Sequence, residues 1–289
     1  MKEELFKIDK ATGELIPFVG STQTIEQKIA WVKKQQAHKT QNEYGAFTWF
    51  LFNRTEEIFP NLKPSNITRL MFISTYLNYD GYLSYDNRKD RIINRKNMNE
   101  LLKLSRTEYY RFFDEMVKEK IFNEREDKIY INAEIFTKGK IKDINSDFTR
   151  ICASGVRTLY NKSNTTEHKS LSVLFRMLPY VNIKYNIVCE NPKEKEIDLV
   201  EPLTLSDLSV KMNYSKTNLG VLKSNLTACK INGKSCVNFV SNNTDNRTWT
   251  MFLNPQIFFA GKDYRCVEVL GGFSPKIKKY ESKPSKMPR

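Results

Sequence analysis

"NRKNMNELLKLSRTEYYRFFDEMVKEKIFNEREDKIYI", residues 94–131, changes its hydrophobic period twice. Met98, Leu101, Leu102 and Leu104 recur at helical spacing and mark a short helix. Ser105 follows as an N-cap candidate. A second helix then places Tyr109, Phe112, Phe113, Met116 and Val117 on its inward side. "IFNERE" reads as a tight charged turn, and "DKIYINAEIF" alternates like a strand. Upstream, "NITRLMFISTYLN" puts Ile67, Leu70, Met71 and Ile73 on a helical core face. Helix, helix, tight turn, helix, β-hairpin is the order of the winged helix-turn-helix.

The scheme restarts downstream. "TEHKSLSVLFRMLPYVN" is a helix with Leu171, Leu174, Phe175 and Leu178 inward. Tyr185–Cys189 is an apolar strand followed by an acidic loop. "LTLSDLSVKMNY" is a short helix with Thr204 or Ser206 as its cap, and "SKTNLGVLKSNLTACKI" is its partner. "SCVNFVS", "NNTDNR" and "TWTMFLN" give a longer hairpin. At an offset of 110, Met98 matches Leu208, Leu102 matches Met212, Leu104 matches Tyr214, Phe112 matches Leu222, Met116 matches Leu226 and Ile121 matches Ile231. "INAEIFTKGK" from Ile131 returns as "LNPQIFFAGK" from Leu253, at an offset of 122. The extra 12 residues fall in the hairpin, where an insertion costs little. Matched cores and turns predict an internal duplication.

The expected fold is therefore α+β and mostly helical, with two tandem winged helix-turn-helix domains joined by a connecting helix. Residues 1–60 form an N-terminal arm, with a hairpin around "DKATGE" and a polar helix over 22–40. That helix carries Ile25, Ile29 and Val32 on a narrow stripe, for a partner or for its own protein. "NEYGAFTWFLFN" is buried and a strand candidate. The first winged-helix domain spans 61–142, the connecting helix 143–165 and the second domain 166–272. The tail, 273–289, has six basic residues within "SPKIKKYESKPSKMPR" and reads as disordered.

Charge indicates the partner. The chain holds 47 Lys and Arg against 33 Asp and Glu, a formal net charge of +14. Such an excess suits a polyanion, and double-stranded DNA fits the fold. No window approaches the 18 apolar residues of a membrane span, and "MKEELFKIDK" is not a signal peptide. The spacing of the five cysteines does not fit a disulfide framework or a zinc site, so a reducing bacterial cytoplasm is expected. Two histidines, and the absence of a phosphate-loop or HExxH motif, point away from an enzyme. No metal and no cofactor is expected.

In a helix-turn-helix the N-terminal residues of the second helix face base edges. The first copy offers Ser105, Arg106, Thr107, Tyr110 and Arg111 there, with Tyr109 either core or contact. Arg106 and Arg111 suit guanine, and Ser105 and Thr107 suit phosphate. Arg88–Arg111 carries eight basic residues against three acids, with Arg95 and Lys96 at the start of the first helix of the pair. The second copy offers Ser215, Lys216, Thr217, Asn218 and Val221, and Asn218 suits adenine. In the wings, Arg125, Lys128 and Arg247 are phosphate or minor-groove candidates. The first copy is the stronger reader. The second binds DNA weakly or serves a homodimer.

"LNPQIFFAGKDYRCVEVLGGF" resembles the closing strand and tail of RepL-type plasmid replication proteins of Firmicutes, and "KIDKATGELIPF" their N-terminal hairpin. "DFTRI", "HKSLSVLFRMLPYVNIKYNIVCENP" and "FLNPQIFFAG" resemble helix-turn-helix proteins of Firmicute phages and related mobile elements. The resemblance implies a winged-helix fold and DNA binding, and carries no catalytic residue. Two copies depart from the single-domain plasmid proteins. The function expected is sequence-specific DNA binding in a phage or plasmid, as a transcription regulator. The alternatives are a replication initiator that recruits replication machinery, and a protein-binding adaptor or inhibitor on the same scaffold.

Overall fold

The computed structural model describes residues 6–8, 15–17, 26–27, 29–31, 45–52, 54–86, 91–139, 141, 147–240, 249–261 and 264–273. Contacts divide the chain into two units, Met1–Glu43 and Tyr44–Arg289. In the first, β1 (Phe6–Ile8) and β2 (Leu15–Pro17) pair antiparallel with Phe6 opposite Pro17, as the turn signal "DKATGE" predicts. Of the helix expected over 22–40, only 26–27 and 29–31 are described, and Ile29 and Trp31 are exposed there. The basic tail beyond 273 lies outside the described residues.

The second unit opens with β3 (Phe47–Leu51), whose Thr48, Phe50 and Leu51 are buried. A short helical turn, α1 (Thr55–Ile58), leads to α2 (Pro64–Ser74), which starts on a proline already set to helical φ. Asn78 ends the segment after α2: its Oδ1 accepts from the Asp80 and Tyr82 amides at 3.0 and 3.1 Å. α3 (Arg95–Leu102) is capped by Asn94, whose Oδ1 accepts from the Asn97 amide at 3.0 Å. It stops at Lys103, which is left-handed at φ 53°. α4 (Arg106–Lys118) begins three residues later, under a Ser105 cap. β4 (Phe122–Arg125) and β5 (Lys128–Ile131) follow. "IFNERE", expected as a turn, therefore supplies a strand, and the turn itself is Glu126–Asp127, both left-handed. Tyr82 bridges Tyr130 and adds a third edge to the hairpin. β6 (Phe136–Thr137) returns to β3 with Phe136 opposite Phe50.

The second half repeats this order. β7 (Phe148–Cys152) precedes α5 (Ala153–Lys162) and α6 (His168–Arg176). Of the segment 143–165, expected to be one connecting helix, the described residues are helical only over Ala153–Lys162. "FTRIC" alternates, and its Ile151 and Thr149 side chains are buried. Asn182 repeats the Asn78 turn, accepting from the Lys184 and Tyr185 amides, each at 2.9 Å. Tyr185–Cys189 makes isolated bridges at Ile187, Val188 and Cys189 rather than a full strand. α7 (Leu205–Lys211) is capped by Thr204 in a capping box with Asp207, not by Ser206. A 3-10 turn over Lys216–Asn218 then enters α8 (Leu219–Ala228). β8 (Lys230–Ile231) and β9 (Lys234–Ser235) form a tight extra hairpin before β10 (Val237–Val240) and β11 (Thr250–Leu253). α9 (Tyr264–Leu270) closes the described chain.

The core positions matched at the offset of 110 are buried in both halves, except that Tyr214 is half-buried. Val117, expected inward, is exposed. The repeated decapeptides make the same turn. Asn132 Oδ1 accepts from the Glu134 amide at 2.9 Å, and Asn254 Oδ1 from the Gln256 amide at 3.0 Å. Their side-chain amides donate to the Lys120 and Ser235 carbonyls at 3.2 and 3.1 Å. Ile135, Phe136, Ile257 and Phe258 are all buried. The glycines differ: Gly139 sits at φ +90°, whereas a Cβ at Gly261 would strike the Phe259 ring. The halves share one hydrophobic core, α2 packs along α6, and β3 lies between β6 and β7.

Candidate nucleic-acid interface

The outer face of α4 follows from what its inner face buries. Phe112, Phe113 and Met116 are in the core, and Tyr109 joins them at 4 % exposure. Tyr109 is therefore core, not contact. Its hydroxyl has no hydrogen-bond partner, and burial drives the phenol well above its ordinary range. The same rotation turns Arg106, Thr107, Tyr110 and Arg111 outward, all exposed. The Arg106 guanidinium lies 5.7 Å from the Tyr110 ring centroid, so the first turn of α4 presents a cation on an aromatic face. Ser105 caps the helix, with Oγ accepting from the Glu108 amide at 3.3 Å.

Beneath that first turn lies a polar recess of about 330 Å³ between the N-terminal ends of α2 and α4. Lys63, Arg69, Thr107 and Arg111 line it. Arg69 is 3 % exposed and donates to Asn66 Oδ1 at 2.6 Å and to the Glu108 carboxylate. Its Nε has no partner. The sequence offered one signal for this residue: an arginine set among apolar positions in "NITRLMF".

The other first-copy candidates are arranged differently. Arg95 is tied down, donating from Nε to Glu124 at 2.8 Å, with its guanidinium 4.2 Å from the Phe113 centroid. It fastens α3 to the hairpin. Lys96 is exposed beside it on α3. Arg125 is exposed at the end of β4. Lys128 is half-buried, 5.4 Å from the Tyr82 ring and 4.0 Å from Glu126. The structure therefore brings Arg106, Thr107, Tyr110 and Arg111 together, and directs Arg95 and Lys128 toward their own hairpin.

In the second copy, Ser215 does not cap: its hydroxyl lies 2.7 Å from that of Thr217. The chain enters α8 through the 3-10 turn, leaving Ser215, Thr217, Asn218 and Val221 exposed. Lys216 lies in that turn, and its side chain is outside the described residues, as is all of Arg247. Lys223 has no counterpart among the residues the sequence pattern singles out. Its ammonium sits 3.4 Å from the Trp249 ring centroid and 5.5 Å from that of Phe239, bridging α8 to the long hairpin.

Away from these helices, a larger cleft of about 610 Å³ is edged by Glu56, Asp147, Glu190 and Glu194, with Lys193 and Lys211. Its carboxylates would repel a phosphate backbone. Among the described residues no His, Cys, Asp or Glu group is placed to hold a metal ion, and no helix is long and apolar enough to cross a membrane. No family model, curated protein or solved structure matches the chain.

Proposed function

We propose that the chain is a sequence-specific double-stranded DNA-binding protein of a phage or plasmid, built as two winged helix-turn-helix units, and that it regulates transcription. The observation that carries this reading is the outer face of α4. Its first two turns expose Arg106, Thr107, Tyr110 and Arg111 together, on a helix held from behind by α3 and flanked by a hairpin ending in Arg125. A helix so held suits the major groove, the hairpin suits the adjacent backbone, and the net charge of +14 supports both. α8 takes the equivalent part in the second unit.

Duplex binding measured against salt tests the reading. Phosphate neutralisation predicts a steep fall of affinity with salt, and binding to selected sites well above that to random duplex. A flat slope with equal weak binding to every duplex would support the protein-binding adaptor instead. Replacing Arg106 and Arg111 by Ala should relax specificity as well as affinity, by about 1–3 kcal/mol for each arginine–guanine pair removed. A replication initiator is the second DNA-binding reading, favoured by "KIDKATGELIPF" and "LNPQIFFAGKDYRCVEVLGGF" and their resemblance to RepL-type proteins. Footprinting on the element's own genome separates the two: a promoter operator against iterated sites at an origin.

A further inference from the structure

β3 and β7 open the two halves and hold equivalent places in them. Leu51 N donates to Ile135 O at 2.8 Å, and Cys152 N donates to Ile257 O at 2.9 Å. Trp49 Nε1 donates to Gly139 O at 2.8 Å, and Arg150 Nη2 donates to Gly261 O at 2.7 Å. Different donors thus reach the same carbonyl of the repeated phrase. These hydrogen bonds equate Phe47 with Phe148, Trp49 with Arg150 and Leu51 with Cys152.

β3 and β7 also pair with each other, antiparallel. The register sets Phe47 opposite Cys152, Trp49 opposite Arg150 and Leu51 opposite Phe148. Exchanging each residue for its equivalent turns this register into itself, with Trp49 and Arg150 at the centre. A self-complementary pairing is the mark of a two-fold interface. The same exchange maps α2 onto α6, which pack together, and the Asn78 turn onto the Asn182 turn. It therefore maps α4 onto α8. β3 is paired on both sides, by β6 and β7, and Phe258 bridges β7 at Ile151 on the side away from β3.

We infer that Tyr44–Arg289 is a two-fold pseudo-dimer within one chain, whose target is a duplex carrying two unlike half-sites in inverted orientation, read by one chain. The inference rests on the DNA-binding reading above. A two-fold protein is matched by a two-fold site, so the half-sites are inverted. They are unlike because the readers are: arginines on a regular α-helix in one half, and Thr217 and Asn218 on a 3-10 turn in the other.

The test is selection of binding sites by the full chain from random duplexes, followed by footprinting and the mass of the complex. Two different motifs in inverted orientation under one chain are expected. A duplex carrying one motif alone should bind about a hundredfold more weakly, because linked readers share a high effective concentration. At saturating protein, Arg106→Ala with Arg111→Ala should clear the footprint from one motif, and Thr217→Ala with Asn218→Ala from the other. Motifs in direct orientation, two chains per site, or one motif cleared by both variants would overturn the inference and leave DNA binding standing. Selection of no motif at all would overturn both.

Discussion

Arg69 is a charge placed where α2 should be apolar, and its neighbours carry the cost. The Glu108 carboxylate and Asn66 satisfy two of its nitrogens, while Nε is left without a partner. Removing one member of such a pair leaves a buried charge uncompensated. Glu108→Ala is therefore expected to lower stability by about 2–4 kcal/mol in urea unfolding, whereas Ser105→Ala loses only a cap, about 1 kcal/mol. An equal effect of the two would show that Arg69 does not depend on Glu108. Gly155 makes a second sharp case. A Cβ there would run into the backbone carbonyl of Gln256, which flexible side chains cannot relieve. Gly155→Ala should cost about 3 kcal/mol or more, although alanine is the better helix former. The Ser105 cap and the outward arginines are legible in the sequence because they follow helical spacing. Arg69 is not, because its role depends on a residue 39 positions away.

Elements with a strong period of their own are legible in the sequence, and those defined by a distant partner are not. α3 and α4 carry caps and an apolar stripe, so they appear where the spacing puts them. β7 is hidden because it runs straight into a helix at Ala153, with no turn residue between them to mark its end. What fixes it is β3 on one side and the Asn254 turn on the other. α8 starts late because "SKTNLG" offers Asn and Gly where a helix wants strong formers. The packing of α6 on α2 and α5 also sets a pH dependence. His168, at the start of α6, is buried and stacked on Tyr160 with centroids 4.4 Å apart. Burial first, and then the Arg69 charge, push its pKa down to about 4. The unfolded chain, with an ordinary histidine near 6.5, then binds the proton more readily than the folded one. Stability should be constant in this respect above about pH 7 and fall as pH drops from about 6.5 toward 4, by up to about 3 kcal/mol. His168→Asn should flatten that part of the stability–pH curve. An unchanged slope would assign it to carboxylates instead.

The two halves share a sheet and a core, so they should not unfold separately. Phe72 of the first half stacks on Tyr160 at 3.9 Å, and Tyr160 stacks on His168 of the second, while its hydroxyl donates to Leu102 O at 2.9 Å. Arg157 adds two bonds to Thr75, at 2.9 Å to Oγ1 and 2.8 Å to the carbonyl oxygen. Independent domains joined by a linker would give two thermal transitions. Continuous packing predicts one transition for the 44–289 unit, with calorimetric and van't Hoff enthalpies equal. Phe72→Ala removes the ring at the centre of this stack and should cost about 3–5 kcal/mol. In a unit of this size that lowers Tm by about 10 °C, for the whole transition at once. If only part of the heat absorption moved, the halves would be separate folding units, and the pairing of β3 with β7 would be a junction between domains and not the seam of one.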